Sequence, residues 1–348
     1  MLSKLSRRFW TLVLVACPAL IVFGVGRAGI SHSTGTLLVM LEPALLALAV
    51  YAAAAFALHR RWHASLATVM MIGTGAVALH APLHIAEPSA AAPDWLRPLR
   101  KCAVLPKAAK APVRLVSWTV DDKAPMGEVL AEIKAKRPDL VVLVGTDDKA
   151  IGTELSEAMG GEVKFLPYGD GITAAVRGSF QYCEGTVDHW VIHMPAAVED
   201  GAQAFLTFPH IEHVGVMPLM IVRADRPQGA ADLTDWTQRQ SRTSDLLASA
   251  VQVLGPSRML LVGDFQAPAT SQVLTRPLHQ SGLQSIPTPP NWPQRVGGLP
   301  FLPVHALDHM WAGSSWHAQR ARTMASGAQV RAPLIVDLTP IEAHAQQP

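Results

Sequence analysis

Three apolar runs fall within the first 84 residues, and they constrain the chain more than any other feature. Phe9 to Val25 carries no charge. Leu37 to Leu58 is broken only by Glu42 and Pro43, and Leu66 to Leu79 is a shorter third run that reaches Pro82 through His80. Roughly 20 apolar residues cross a bilayer, with about 17 as a lower limit. The first two runs meet that length and the third is at its margin. A cleaved signal peptide could explain the first run alone, but it is not ordinarily followed by two further spans. The runs therefore predict a membrane anchor of three transmembrane helices over residues 1–84.

Basic residues orient the anchor. Lys4, Arg7 and Arg8 precede the first run, and Arg60 and Arg61 join the second to the third, whereas the loop from Arg27 to Gly35 holds a single Arg. The positive-inside rule places the N-terminus in the cytoplasm and everything after the third span outside. In a bacterium that means the inner membrane, with a large C-terminal portion in the periplasm or extracellular space. Charged residues make up only 16% of the chain, below the usual quarter, which fits membrane content. The net charge of +2 gives no broad basic surface, so the bilayer is an expected partner and nucleic acid is not. Gly73, Gly75 and Ala76 would let the helices pack closely against another membrane protein or complex. Glu42 is either a functional intramembrane acid or an acid hydrated near the interface.

Residues 85–112 are rich in Ala and Pro and read as a linker. A mixture of strand and helix patterns then fills 113–340, with 341–348 as a tail. "VRLVSWTV" and "DLVVLV" read as strands, Gly127 to Arg137 and Asp148 to Met159 as helices, and a long helix is expected over Asp232 to Leu254. Strands cluster between the helices. The predicted class is α+β: three N-terminal transmembrane helices followed by a four-layer α/β-sandwich of two packed β-sheets with outer helices. Cys102 and Cys183 fall in the outer portion, where a disulfide can persist, and their spacing leaves the pairing open.

The stretch "LLVGDFQAP" presents Asp264 at the end of a buried strand, which is a common way to offer an acid at the mouth of a sheet. Other motifs are weaker. His210 and His213 in "HIEH" would suit a metal on a helix, but Pro209 and Gly215 point to a loop. His189 and His193 lie four apart on a predicted strand. Ser314 and Ser315 lack the strand-elbow context of a nucleophile. "GTDDKAIG" lacks the Gly-Lys-Ser/Thr ending of a phosphate loop. Trp236, Trp292, Trp311 and Trp316 are read as core side chains.

Five fragments, in order, resemble the endonuclease/exonuclease/phosphatase superfamily, and more narrowly bacterial members with three membrane spans ahead of the catalytic domain. They are "VRLVSWTV", "RPDLVVLVG", "LLVGDFQAP", "NWP" with "ALDHMWAG", and "RAPLIVDL". The resemblance covers roughly Val113 to Leu338. It implies a two-sheet sandwich and divalent-metal-assisted hydrolysis of phosphate esters, in which a carboxylate binds the cation and a histidine works as acid or base.

Residue by residue, most of that machinery is altered. The first-strand Asn of the family is Thr119. The metal-binding Glu falls on Gly145, and the mid-domain His falls at Arg223 or Ala224. Asp264 is kept, and its partner Asn is Gln266. Asp308 is kept. The closing Ser-Asp-His falls on Gln329, Val330 and Arg331. Groups that act as a unit are lost together, which points away from an enzyme. The reading that follows is a non-catalytic, membrane-anchored binding or assembly subunit with no cofactor. The alternative is a divergent phosphodiesterase or phosphatase using Mg or Mn on Asp264 and Asp308, with Asp147 or Asp148. A structure with Asp264 salt-bridged to Arg223 or Arg331, leaving no room for a metal, would count against that alternative.

Overall fold

The structure is a computed structural model. It describes residues 112–120, 125–146, 151–169, 171–181, 191–193, 202–226, 233–268, 271–292, 295–296, 299–300, 305–319, 321–323 and 331–341. The three predicted spans with Glu42, nearly all of the linker, Cys102, Cys183, Asp147, Asp148, His189, Val330 and the tail from 342 lie outside the described residues. Among the described residues no helix is long and apolar enough to cross a membrane. Two compact units divide them. Residues 233–238 and 271–273 belong to the smaller, and the rest form the larger, which carries the sheets.

In chain order the elements are β1 (Val113–Thr119), α1 (Met126–Lys136), β2 (Leu140–Val144), α2 (Ile151–Met159), β3 (Val163–Gly169), β4 (Ile172–Arg177) and β5 (Ser179–Phe180). Then come β6 (Val191–His193), β7 (Ala202–Thr207), β8 (Pro209–Ile211), β9 (Gly215–Val216), β10 (Leu219–Ala224), α3 (Leu233–Leu254), β11 (Leu260–Asp264) and α4 (Gln272–Gln280). The chain closes with β12 (Gln284–Ile286), β13 (Arg295–Val296), β14 (Leu299–Pro300), β15 (Asp308–Ala312), β16 (Trp316–Ala318), β17 (Arg322–Thr323) and β18 (Leu334–Pro340). Strands β1 and β2 and helices α1, α2 and α3 match those expected from the sequence, with ends shifted by a few residues, whereas short strands such as β5, β8 and β9 were not expected.

Among the described residues two main sheets form. One is seven-stranded, in the order β16-β18-β1-β2-β4-β3 with β17 on β18, and the other runs β12-β15-β11-β10-β7-β6. Each is built the same way. A central strand (β1 or β11) lies parallel to one neighbour (β2 or β10) and antiparallel to the other (β18 or β15). Two further antiparallel strands extend the parallel partner's side.

The continuous apolar run of β2 follows from burial on both faces. Leu140, Val142 and Val144 face the second sheet and join a core with Leu115, Phe205, Leu219, Ile221, Val262 and Met310. Val141 and Leu143 face the other way and pack with Trp118 of β1, Val129 and Ile133 of α1, and Leu155 of α2. Truncating one of these fully buried side chains to Ala costs about 2–5 kcal/mol. Helix α1 follows from Val129 and Ile133 at i, i+4, Glu128 in its first turn, and Lys134 with Lys136 in its last. It ends where Arg137 adopts a left-handed φ of 48° ahead of Pro138, so the chain turns directly into β2. On the outer face of the second sheet, His279 of α4 meets the Trp311 ring edge-on at 4.9 Å.

This topology gathers the chemistry at one end. Thr119 and Asp264 terminate β1 and β11, Gly145 follows β2, and Arg223 is the penultimate residue of β10. The antiparallel strands start at that same end, which brings Asp308 to the first position of β15 and Arg331 just ahead of β18.

Candidate functional site

Asp264 pairs in register with Arg223 on one side and Asp308 on the other. The residue before it has to be glycine. Gly263 has φ of 143°, and a Cβ there would stand 2.0 Å from the carbonyl oxygen of Val222. Gln266, two residues on, takes a left-handed φ of 53°, a conformation that costs a non-glycine residue about 1–2 kcal/mol. Two bonds to Asp264 offset it: the Gln266 backbone N–H donates to Oδ1 at 3.2 Å, and the side-chain amide donates to Oδ2.

The two kept acids share one cation. Arg331 Nη1 lies 2.7 Å from Asp264 Oδ1 and 3.1 Å from Asp308 Oδ1. Asp264 is 3% exposed, and Asp308 and Arg331 are each 1% exposed. Asp308 also accepts from the Thr119 hydroxyl at Oδ1 and from the Asn291 amide at Oδ2. Each carboxylate oxygen therefore faces an N–H or O–H donor. Arg331 is itself anchored, because its backbone carbonyl accepts from the Trp118 indole at 3.1 Å.

The charges follow from this packing. Burial works against the Arg331 charge, but Asp264 and Asp308 more than offset it and hold the guanidinium above its ordinary value. Burial pushes the Asp264 carboxyl above the usual carboxylate range, with Arg331 pulling it down and Asp308 pushing it up. The neutral donors Thr119, Gln266 and Asn291 complete the hydrogen bonding of the two carboxyl groups.

Gly145 turns the chain with φ of 95°, and a Cβ there would meet the Val120 carbonyl oxygen at 2.3 Å. The position where the resemblance calls for a metal-binding Glu is thus sterically closed to any side chain. His309 is buried next to Asp308 in sequence, and its Nε2–H donates to the Ala267 carbonyl at 2.6 Å. Burial lowers its value to about 4, against smaller opposite pulls from that bond and from Asp264, so the ring is neutral near pH 7 and structurally committed.

Asp264 lines a polar pocket of about 250 Å³ together with Thr119, Gly145, Gln266, Arg223, Asp225 and Arg226. Asp308 and Arg331 are buried and are not part of its lining.

A divalent cation does not fit this donor set. Hard cations need several oxygen lone pairs converging on one point. Here the Asp264 and Asp308 oxygens that face one another are engaged by Arg331, and the other two accept from amides. Among the described residues no three His, Cys, Asp or Glu side chains could hold a metal together.

The structure brings Thr119, Asp264, Gln266, Asp308 and Arg331 into one network, with Gly145 and Arg223 beside it. Asn291 completes the network and was missed by sequence reasoning. Its only signal was its place in "NWP". It is fully buried, and its Oδ1 accepts from the Leu307 N–H at 3.2 Å. The "HIEH" pair is not helical: His210 lies on β8, and His213 in the turn to β9. Ser314 and Ser315 form a turn between β15 and β16. Trp236, Trp311 and Trp316 are buried, whereas Trp292 is half-buried and stacked on His305.

No family model matches the sequence, and no curated protein matches it. Solved structures do resemble the fold. An endonuclease/exonuclease/phosphatase from Beutenbergia cavernae is 16% identical with a TM-score of 0.50, over 67% of this chain and 72% of that one. A mannosyl-6-phosphatase from Bacteroides thetaiotaomicron is 13% identical with a TM-score of 0.51, over 65% and 99%. A family protein from the same species is 13% identical with a TM-score of 0.50, over 65% and 97%. At such identities the likeness is one of fold. It agrees with the two-sheet architecture and leaves the chemistry to the residues.

Proposed function

We propose that this chain is a non-catalytic, membrane-anchored binding or assembly subunit. Three N-terminal helices over residues 1–84 hold it in the bacterial inner membrane with the N-terminus in the cytoplasm. The domain over residues 113–340, of endonuclease/exonuclease/phosphatase-like fold, stands outside and docks on another membrane protein or on a periplasmic ligand. The observation that carries the reading is the burial of Arg331 between Asp264 and Asp308. Acids held this way are spent on structure. The closed position at Gly145 and the buried, hydrogen-bonded His309 support the same reading.

The test is phosphodiester and phosphomonoester hydrolysis by the solubilised full chain with Mg²⁺ or Mn²⁺, compared with Asp264→Ala. The expected result is no turnover above background in either. Turnover that Asp264→Ala abolishes would replace this reading with that of a divergent metal-dependent phosphohydrolase. Co-purification of the full chain from native membranes should recover a stoichiometric membrane partner.

A further inference from the structure

We infer that Arg331 is the resident counter-cation of the Asp264–Asp308 pair, and that a divalent cation enters between these acids only once the guanidinium is removed. The inference rests on the non-catalytic reading of this site, but it is tested through binding and stability instead of turnover.

Three observations support it. A single nitrogen, Nη1, contacts the near oxygen of both acids, so the guanidinium stands where any cation serving the pair would have to stand. Its position is set from the backbone as well. Trp118 of β1 holds the Arg331 carbonyl, and the Ala332 N–H donates to the Asn291 carbonyl at 3.2 Å. Finally, Arg331 Nε is buried and has no hydrogen-bond partner among the described residues. The side chain thus gives up a donor while bridging the acids, the arrangement expected where charge neutralisation outweighs hydrogen-bond count. Asp264 and Asp308 sit opposite one another in register, so without Arg331 two buried like charges would face each other and attract a replacement cation.

The experiment is calorimetric titration of the full chain with Mn²⁺, paired with thermal unfolding at several Mn²⁺ concentrations. Wild type should bind no Mn²⁺ at this site, so its unfolding midpoint should not move in an Asp264-dependent way. Arg331→Ala should unfold at lower temperature and bind one Mn²⁺. At roughly 100 times the dissociation constant its midpoint should rise by roughly 5–10 °C, as expected for a domain of about 200 residues. Arg331→Ala combined with Asp264→Asn should lose that rise. Mn²⁺ binding by wild type that Asp264→Asn removes would overturn the inference, as would a folded Arg331→Ala indifferent to Mn²⁺. If Arg331→Ala does not fold alone, it is refolded with and without Mn²⁺. Recovery only with the ion supports the inference, and recovery in neither overturns it.

Discussion

Arg331 Nη1 sits 2.7 Å from Asp264 Oδ1 while the same nitrogen reaches Asp308, so one buried guanidinium just ahead of β18 ties the end of β11 to the start of β15. Removing one partner of a buried ion pair leaves uncompensated charge and typically costs about 3–5 kcal/mol, whereas replacing the whole group with neutral residues is often tolerated. Arg331→Met should therefore lower unfolding free energy by about 3–5 kcal/mol. Combining it with Asp264→Asn and Asp308→Asn should return most of that loss. Urea unfolding of wild type, Arg331→Met and the triple variant checks both steps. A single variant as stable as wild type would mean that the bridge carries little of the fold's stability.

His309 should make stability depend on pH in a defined window. Burial, the largest influence, lowers it from 6.5 to about 4. Between those values the unfolded chain binds a proton that the folded chain refuses. The sign is therefore that this contribution is fully present above pH 6.5 and is lost progressively as pH falls towards 4. The span corresponds to roughly 3 kcal/mol at most. Asp264, held above its ordinary value, contributes with the opposite slope from its unfolded value upwards. The His309 part is isolated by comparison with His309→Gln. The gap between the unfolding free energies of the two proteins should grow as pH rises from 4 to 6.5 and stay constant above it.

How much of this was legible in the sequence differs between fold and site. Alternating and continuous apolar runs place side chains on faces, and from Val113 onward they identified nearly every long element. Glycine and proline punctuation supplied the ends, as at Arg137-Pro138. Site residues that end strands, such as Thr119 and Asp264, could be read because strand ends are local. Asn291 could not, because it lies in an irregular segment and reaches Asp308 through the tertiary fold. The role of Arg331 was half legible, since it stood with Arg223 as a possible salt-bridge partner of Asp264. It appeared as the loss of a histidine, and only the packing of β18 beside β1 shows it meeting two acids at once. Gly145 likewise looked like a deleted ligand, whereas its φ and the nearby Val120 carbonyl show a backbone requirement.

That requirement gives a third prediction. Restoring an acid by Gly145→Glu should fail as a repair. With φ of 95° and a Cβ placed 2.3 Å from the Val120 carbonyl oxygen, the turn after β2 must move. An incompatible side chain at a positive φ costs more than about 1 kcal/mol before the clash is counted. Gly145→Ala carries the same backbone penalty without the charge. Both variants should melt below wild type by similar margins, and Gly145→Glu should gain no Mn²⁺-dependent hydrolysis. A Gly145→Glu protein as stable as wild type would show that the turn after β2 can adapt.

Thr119 and Asn291 donate to different oxygens of the same carboxylate, so their contributions should not add. Thr119→Val leaves Asp308 Oδ1 with Arg331 alone. Asn291→Leu strips Oδ2 of its donor and also leaves the Leu307 N–H without its acceptor. An unmade hydrogen bond to a buried charged group costs roughly 1.5–3 kcal/mol, so each single change should fall in or near that range, with Asn291→Leu the larger because two groups lose partners. In the double variant Asp308 keeps only Arg331. Both donors bond one carboxylate, so each bond polarises the other and the second loss costs less once the first is made. The double variant should therefore lose less than the sum of the singles, with a coupling of about 0.5–3 kcal/mol. A double-mutant cycle by urea unfolding at neutral pH measures it, and strict additivity would show that the two donors act independently.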